Sequence, residues 1–426
     1  MNESCNKPNK KLLIILGAGS SIPYRMPSVA CINKHMLDWS KEWESSDKIY
    51  RGKNIFADLM DDNSNYELVL GQMTTLIYVL SQQISGIRLF ENIKNQLPKI
   101  LSNIDYSGGI ESLRNIIIGQ HRYLIEKLTC YFRTCCKKHS LPDVSKFSRF
   151  LQELRNHFEV GIYNLNHDNI AIRAWPEAFK GFTPVDSKQS SCQQINENYF
   201  DPMGIFNHKK WNFIYHLHGS VHFNFSNENA VKRTLIKWEE NLFEDKFLDY
   251  FVPIAAQDDM SMHLPFTTLI TGGSKLEQLL PEPYHTFHAS LARHSHEADA
   301  ILIAGYSFGD LHVNRALKNR FDISVSENQI FEPNCLLKTL PKVVILQKNC
   351  RDKPHTGIAR PDWARQMYKT FNTPFSVSPD ENNDNRTIGD VSTCDDFEEI
   401  SSQIVICHKG TEDAFLDVKR VISKLI

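Results

Sequence analysis

The chain has 426 residues, of which 41% are apolar and 23% charged, with 48 Lys and Arg against 50 Asp and Glu for a formal charge of -2. That length exceeds one average domain, and the ordinary globular composition supports a sizeable core carrying an insertion or a smaller second unit. The near balance of charge leaves no global field to draw nucleic acid or an anionic membrane, and no apolar run is long enough to span a bilayer, so neither partner is expected.

The opening stretch MNESCNKPNKK has no apolar signal-peptide core, the expectation for a cytoplasmic protein. Lys11 to Leu16 (KLLIIL) follows as a short apolar run ending at Gly17, which reads as a buried parallel strand. Ser28 then offers an N-cap to a helix through Asn33, Met36, Leu37 and Trp39. Strand, glycine turn and helix open a nucleotide-binding α/β unit.

From about residue 52 to 157 the periodicity turns helical. Val69, Met73, Leu76, Leu80 and Ile84 share one face, as do Ile110, Leu113, Ile117, Leu124 and Leu128. Strands are expected again at Val160 to Leu165, Phe213 to Leu217, Ala300 to Ala304 and Val343 to Leu346, resuming the first sheet. The polar, acidic segment Ser376 to Glu398 reads as a surface loop, followed by a strand near Gln403 to Cys407 and one helix from Glu412 to Ile426.

The expected architecture is therefore a doubly wound, Rossmann-like parallel sheet interrupted by a helical insertion. Residues 1–45 and 158–350 form the nucleotide-binding and catalytic domain, 46–157 the insertion and 351–426 a C-terminal extension. Ten cysteines are scattered with no C-x-x-C pair, so neither a disulfide framework nor a zinc ribbon is expected, and no metal.

Four loops carry the polar chemistry, each at the end of an expected strand. Gly17-Ala18-Gly19-Ser20-Ser21 can bring backbone N–H groups close to a phosphate. Ile22 stands where a dehydrogenase fingerprint needs its third glycine, so GAGSS alone also fits a plain tight turn. Asn164-Leu165-Asn166-His167-Asp168-Asn169 puts polar groups at the rim of the sheet, where open α/β folds bind ligands; an Asx turn bonding its own backbone is the bland alternative.

In His216-Leu217-His218-Gly219-Ser220 the alternating histidines suggest a metal pair, but no Cys or carboxylate accompanies them at ligand spacing. A general base near neutral pH is the better functional reading for one of them, with His216 fitting a core histidine. Gly305-Tyr306-Ser307-Phe308-Gly309-Asp310 offers a second ribose or phosphate loop. Its outline also matches the G-x-S-x-G elbow of serine hydrolases, although a histidine preceding Ser307 departs from that fold's usual order.

Taken in register, GAGSS, NLNHDN, HLHGS and AGYSFGDLHVN resemble the sirtuin-like family, and most of all its prokaryotic NAD-consuming branch, whose members commonly act as antiviral defence effectors. The resemblance covers residues 11 to about 40 and 158 to about 350. It implies that Gly17, Ala18, Gly19 and Ser20 hold the NAD diphosphate. It also implies that Asn166 is the catalytic Asn beside the nicotinamide ribose, with Asp168 in the same site, and that His218 is the catalytic His. Gly305, Ser307 and Asp310 lie against the adenosine half on the same reading. Asn65-Tyr66-Glu67 resembles a further recurring element of these effectors, best explained by helix packing.

The paired cysteines of protein-deacylating sirtuins have no counterpart here, which argues against deacylation. NAD, as substrate, and an NAD glycohydrolase releasing nicotinamide and ADP-ribose are the resulting expectations. ADP-ribosyl transfer, deacylation or a non-catalytic NAD or ADP-ribose sensor are the alternatives. Unchecked hydrolysis would deplete a cell's NAD, so a homo-oligomer gated by a protein partner or a phage-derived trigger is expected as well.

Overall fold

The structure is a computed structural model that describes residues 10–46, 54–61, 64–84, 109–137, 143–184, 198–225, 236–242, 250–251, 266–271, 278–279, 281–330, 340–348, 362–371 and 396–426. Most of the acidic segment expected to form a loop, residues 376–395, lies outside them.

In chain order, strand β1 (Lys10–Leu16) leads through two 3-10 turns into helix α1 (Val29–Ser46). Helices α2 (Ile55–Leu59), α3 (Tyr66–Ile84), α4 (Gly109–Cys135) and α5 (Ser145–Arg155) precede strand β2 (Phe158–Asn164). After α6 (Ile170–Ala174) come β3 (Phe182–Pro184), β4 (Asn198–Phe200), α7 (Pro202–Asn207) and β5 (Asn212–His216). Four short strands follow, β6 (Phe223–Phe225), β7 (Ile236–Trp238), β8 (Tyr250–Phe251) and β9 (Phe266–Thr267). The chain continues with α8 (Tyr284–Glu297), β10 (Ala300–Ala304), α9 (Leu311–Ile330), β11 (Lys342–Leu346) and α10 (Asp362–Phe371). It closes with β12 (Phe397–Glu399), β13 (Ile404–Cys407), α11 (Thr411–Leu416) and α12 (Val418–Leu425).

The main sheet has seven strands in the order β12-β13-β11-β10-β1-β2-β5, parallel except for the β12–β13 pair. Leu12, Leu13, Ile14 and Ile15 of β1 and all of β10 are buried, as strands covered on both faces must be. Helix α8 packs on β1 and β5, α5 on β2, and α12 on β10 and β11. From β1 the chain steps outward to β2 and β5, then returns to β1's other side with β10. That reversal makes the β1/β10 junction a topological switch point, the place where doubly wound sheets open a crevice for ligands.

The apolar faces read from the helical period meet each other: Val69, Met73, Leu76 and Leu80 of α3 and Leu113, Ile117, Leu124 and Leu128 of α4 are all buried, and the two helices pack together. Ser28 caps α1 through its Oγ, 3.3 Å from the Cys31 N–H, and Asn65 caps α3 by accepting from Leu68 N at 2.9 Å. Tyr66 is buried with its N–H on Asn33 Oδ1 and its hydroxyl on Glu67 Oε1, a packing role for that element.

Two features differ from the sequence expectation. The terminal helix is two, broken at Asp417, because Phe415 turns onto the rings of Phe147 and Phe150 while Val421, Ile422 and Leu425 are buried on the α12 side of the break. A second, four-stranded sheet, β3-β4-β7-β6, also forms, with strands of three residues that are too short to show a period of two. No helix among the described residues is long and apolar enough to cross a membrane.

Candidate active site

The four motif loops leave the C-terminal ends of β1, β2, β5 and β10, which are neighbours in the order β10-β1-β2-β5. Parallel pairing in register therefore delivers residues far apart in sequence to one rim. Backbone bonds stitch that rim together: Gly17 N to Ala304 O at 2.9 Å, Leu165 N to Leu16 O at 2.9 Å and Leu217 N to Asn164 O at 2.9 Å.

Four N–H groups of the glycine loop are turned into the fold rather than held open to a phosphate. Gly17 N, Gly19 N, Ser20 N and Ser21 N each donate to a backbone carbonyl within 3.1 Å. Its glycines are required by contact with the loop after β10. A Cβ on Gly17 would sit 2.6 Å from Gly305 O, and one on Gly19 would sit 2.9 Å from Gly305 Cα. Gly305 itself has φ +62. Ala18 and Ser307 are exposed on this rim, whereas Gly17 and Ser20 are buried.

Asn166 is 9% exposed, and its Nδ2 reaches Gly17 O at 3.0 Å, Ser20 Oγ at 3.2 Å and Ser21 Oγ at 2.7 Å. A carbonyl can only accept, so the NH2 end must face Gly17 O. The amide oxygen consequently points away from the glycine loop, and no hydrogen bond to it occurs among the described residues. This is a fixed acceptor beside the glycine loop.

Ser21, which the sequence reading passed over in favour of Ser20, connects two site residues. It accepts from Asn166 Nδ2 and donates to Asp168 Oδ2 at 2.5 Å. Asp168 is buried and its other oxygen accepts from Ile170 N at 3.0 Å, so it braces the loop rather than facing open space. Burial raises its carboxyl above the usual range, against the lowering effect of those two hydrogen bonds. Ser20 turns its hydroxyl back on Gly17 O at 2.7 Å.

The two histidines after β5 part company. His216 is buried and donates from Nδ1 to Asn166 O at 3.2 Å, and burial pushes its pKa down to about 3, which keeps it neutral. It is a core histidine that positions the Asn166 backbone. His218 is 7% exposed, and its Nε2 lies 2.7 Å from Asp310 Oδ2. Gly219, at φ +93, lets this turn press against Thr268, whose carbonyl would lie 2.1 Å from a Cβ there. Among the described residues no group of three or more His, Cys, Asp or Glu could hold a metal ion.

Asp310 and Ser307, expected together against one half of a dinucleotide, separate in the structure. Asp310 is buried, turned to His218, and its Oδ1 accepts from His312 N at 3.0 Å at the start of α9. Ser307 is exposed, and among the described residues no histidine bonds its hydroxyl, so the hydrolase-elbow reading finds no base. Sequence reasoning also missed His288 of α8. It is hydrogen-bonded to the backbone of Leu217, lies close to His218 and Asp310, and is pushed down to about 3 by burial.

Two elements outside these loops reach the site. Arg133, buried near the end of α4, donates to Val221 O and Phe223 O at 3.1 Å each, just past His218. Cys136 O, at the same end, accepts from Asn169 Nδ2 at 3.4 Å. From the other side Thr411, first residue of α11, sets its hydroxyl 3.5 Å from Gly19 O.

No family model matches the chain, and no curated protein matches it in sequence. Among solved structures it is similar to a Sir2 homologue in complex with 2'-O-acetyl ADP-ribose, at 13% identity and a TM-score of 0.31 over 88% of this chain and 100% of the other. It is similar also to a Sir2 homologue in complex with NAD, at 12% identity and a TM-score of 0.32 over 80% of this chain and 79% of the other. A third, a sirtuin structure concerned with substrate affinity, shares 12% identity with a TM-score of 0.29 over 80% of this chain and 83% of the other.

Proposed function

We propose that the chain is an NAD glycohydrolase that cleaves NAD to nicotinamide and ADP-ribose at the rim formed by β10, β1, β2 and β5. The observation that carries this reading is the Asn166 amide, tied by its NH2 to the glycine loop so that its carbonyl oxygen is presented as an acceptor on the same rim as His218.

Breaking the N-glycosidic bond expels neutral nicotinamide from a cationic pyridinium, with the electron pair of the C–N bond leaving on the ring nitrogen. The sugar becomes oxocarbenium-like, and a protein lowers the barrier by orienting water and stabilising positive charge. A fixed amide oxygen at Asn166 serves that charge or a ribose hydroxyl. His218 takes the proton of the water whose oxygen bonds to the anomeric carbon, a contribution typically of about 10² to 10⁴ in rate.

Gly17, Ala18, Gly19, Ser20, Gly305 and Ser307 line the diphosphate and adenosine side in this proposal, with Ala18 and Ser307 as its exposed contacts. Residues 46–157, proposed as an insertion, and the C-terminal stretch touch the site loops through Arg133 and Thr411. That contact supports gating by self-association, a protein partner or a phage-derived trigger, and hence the role of an NAD-depleting effector in antiviral defence. Incubation with NAD, alone and with candidate triggers, tests the reading: free nicotinamide and ADP-ribose are expected, and ADP-ribose attached to protein would favour transfer.

A further inference from the structure

The 2.7 Å approach of Asp310 Oδ2 to His218 Nε2 occurs between two side chains that are 4% and 9% exposed. A buried imidazole and carboxylate at that distance are screened little by solvent. The carboxylate is held from both ends. Its Oδ1 accepts from His312 N at 3.0 Å and Val313 N at 3.4 Å, which caps α9, and its own N–H is donated to Tyr306 Oη at 3.1 Å. The Tyr306 hydroxyl in turn shares its single proton within the same turn between Asp310 O and Asn314 Oδ1, both at 2.9 Å. Oδ2 is thus aimed at His218 by the loop rather than by the histidine.

We infer that Asp310 is a positioning residue for His218, selecting the imidazole tautomer and supporting the imidazolium that forms in the reaction. The inference rests on the glycohydrolase reading for its kinetic part. Two lone pairs facing each other at 2.7 Å would repel, so Nε2, the nitrogen beside the ionised carboxylate, carries the proton, although its N–H is not aligned on Oδ2 as a hydrogen bond in this structure. Nδ1 is then the nitrogen with a free lone pair and the one that takes the proton from water or a ribose hydroxyl. When that proton arrives, the charge of the imidazolium is balanced at once by Asp310. Among the described residues His288 of α8 also interacts with His218, and burial keeps it neutral, so it adds no competing charge. Direct contact with the adenosine half, the role implied for Asp310 by the sequence resemblance, is a different function with different kinetics.

The test replaces Asp310 by Asn, which retains an N-cap for α9 and can place an amide NH2 against Nε2, reversing the favoured tautomer. Expected for Asp310→Asn is a fall in kcat of at least about 10-fold, with KM for NAD within about twofold of wild type and with Asp310→Glu recovering part of the rate. The nitrogen-15 spectrum of wild-type His218, assigned by its loss in His218→Ala, is expected to show the Nε2–H tautomer, and Asp310→Asn to lose it. A wild-type Nδ1–H tautomer overturns the inference, as does a variant that raises KM and leaves kcat unchanged. The wild-type spectrum decides the case even where a variant does not fold. Wild-type protein that shows the Nε2–H tautomer but never cleaves NAD would sink the glycohydrolase reading and leave the His218–Asp310 pair standing.

Discussion

The backbone N–H of Gly19 donates to the carbonyl of Gly305 at 2.9 Å, joining the loop after β1 to the loop after β10 across the switch point of the sheet. Two loops 286 residues apart in numbering thereby behave as one wall. Gly305 adopts φ +62, and a Cβ there would meet Ser20 N at 2.2 Å.

Gly305→Ala is accordingly expected to cost stability and to push the glycine loop outward. Strain of this kind amounts to about 1–3 kcal/mol, or roughly 2 °C of thermal midpoint per kcal/mol in a chain of this size. Calorimetry is expected to show the fall, and a parallel NAD titration to show weaker binding. An unchanged midpoint with unchanged binding would mean that the two loops move independently.

Ser21 bridges Asn166 and Asp168 without being a proposed NAD contact. Ser21→Ala removes an acceptor for Asn166 Nδ2 and the donor to Asp168, loosening the amide and leaving a buried carboxylate short of a partner. Turnover of NAD is expected to fall about 10-fold, less than for loss of Asn166 itself, with KM little changed. A rise in KM alone would assign Ser21 to binding instead.

Arg133 couples α4 to the segment just after His218. Each of its bonds to Val221 O and Phe223 O is a charge-assisted contact worth roughly 1.5–3 kcal/mol. Arg133→Met is expected to lower the urea midpoint and to speed amide hydrogen exchange at residues 218–223, with reduced NAD cleavage. If exchange there stays at the wild-type rate, α4 does not control this loop.

Five histidines set an acid limit. Burial holds His121 and His222 down to about 4 and His216, His288 and His294 down to about 3, whereas an unfolded chain binds those protons near 6.5. Below 6.5 the unfolded state therefore holds more protons, and stability falls with pH by at most about 1.4 kcal/mol per unit for each group. Asp168, raised by burial, acts in the opposite sense and only near the carboxylate range. Urea midpoints are expected to drop from pH 7 to pH 5, and His121→Gln to flatten that slope.

Much of this was legible in the sequence because it is local. KLLIIL before Gly17 specifies a buried strand, and the apolar period in residues 69–80 and 113–128 specifies the packed faces of α3 and α4. The order of the four motif loops placed Asn166 and His218 at strand ends, which parallel pairing turns into one rim. What the sequence could not show is which polar side chain finds which partner across the sheet. Ser20 and Ser21 are equivalent on paper, yet rotation through a 3-10 turn sends one to Gly17 and the other to Asp168. Asp310 looked like part of a ribose loop because nothing local reveals that it faces a histidine 92 positions earlier. Likewise the glycines of GAGSS resemble a phosphate cradle, while their tight packing is against Gly305.

On the proposed mechanism the Asn166 amide and His218 together cleave NAD. The most direct measurement of this is nicotinamide release from NAD by purified wild-type, Asn166→Ala and His218→Ala proteins, each checked for native thermal unfolding, alone and with candidate triggers. The expected result is stoichiometric nicotinamide and ADP-ribose from wild type in at least one of these conditions, with both variants slowed by at least about 100-fold. Folded variants that match the wild-type rate, or a wild type that releases no nicotinamide in any condition, would contradict it.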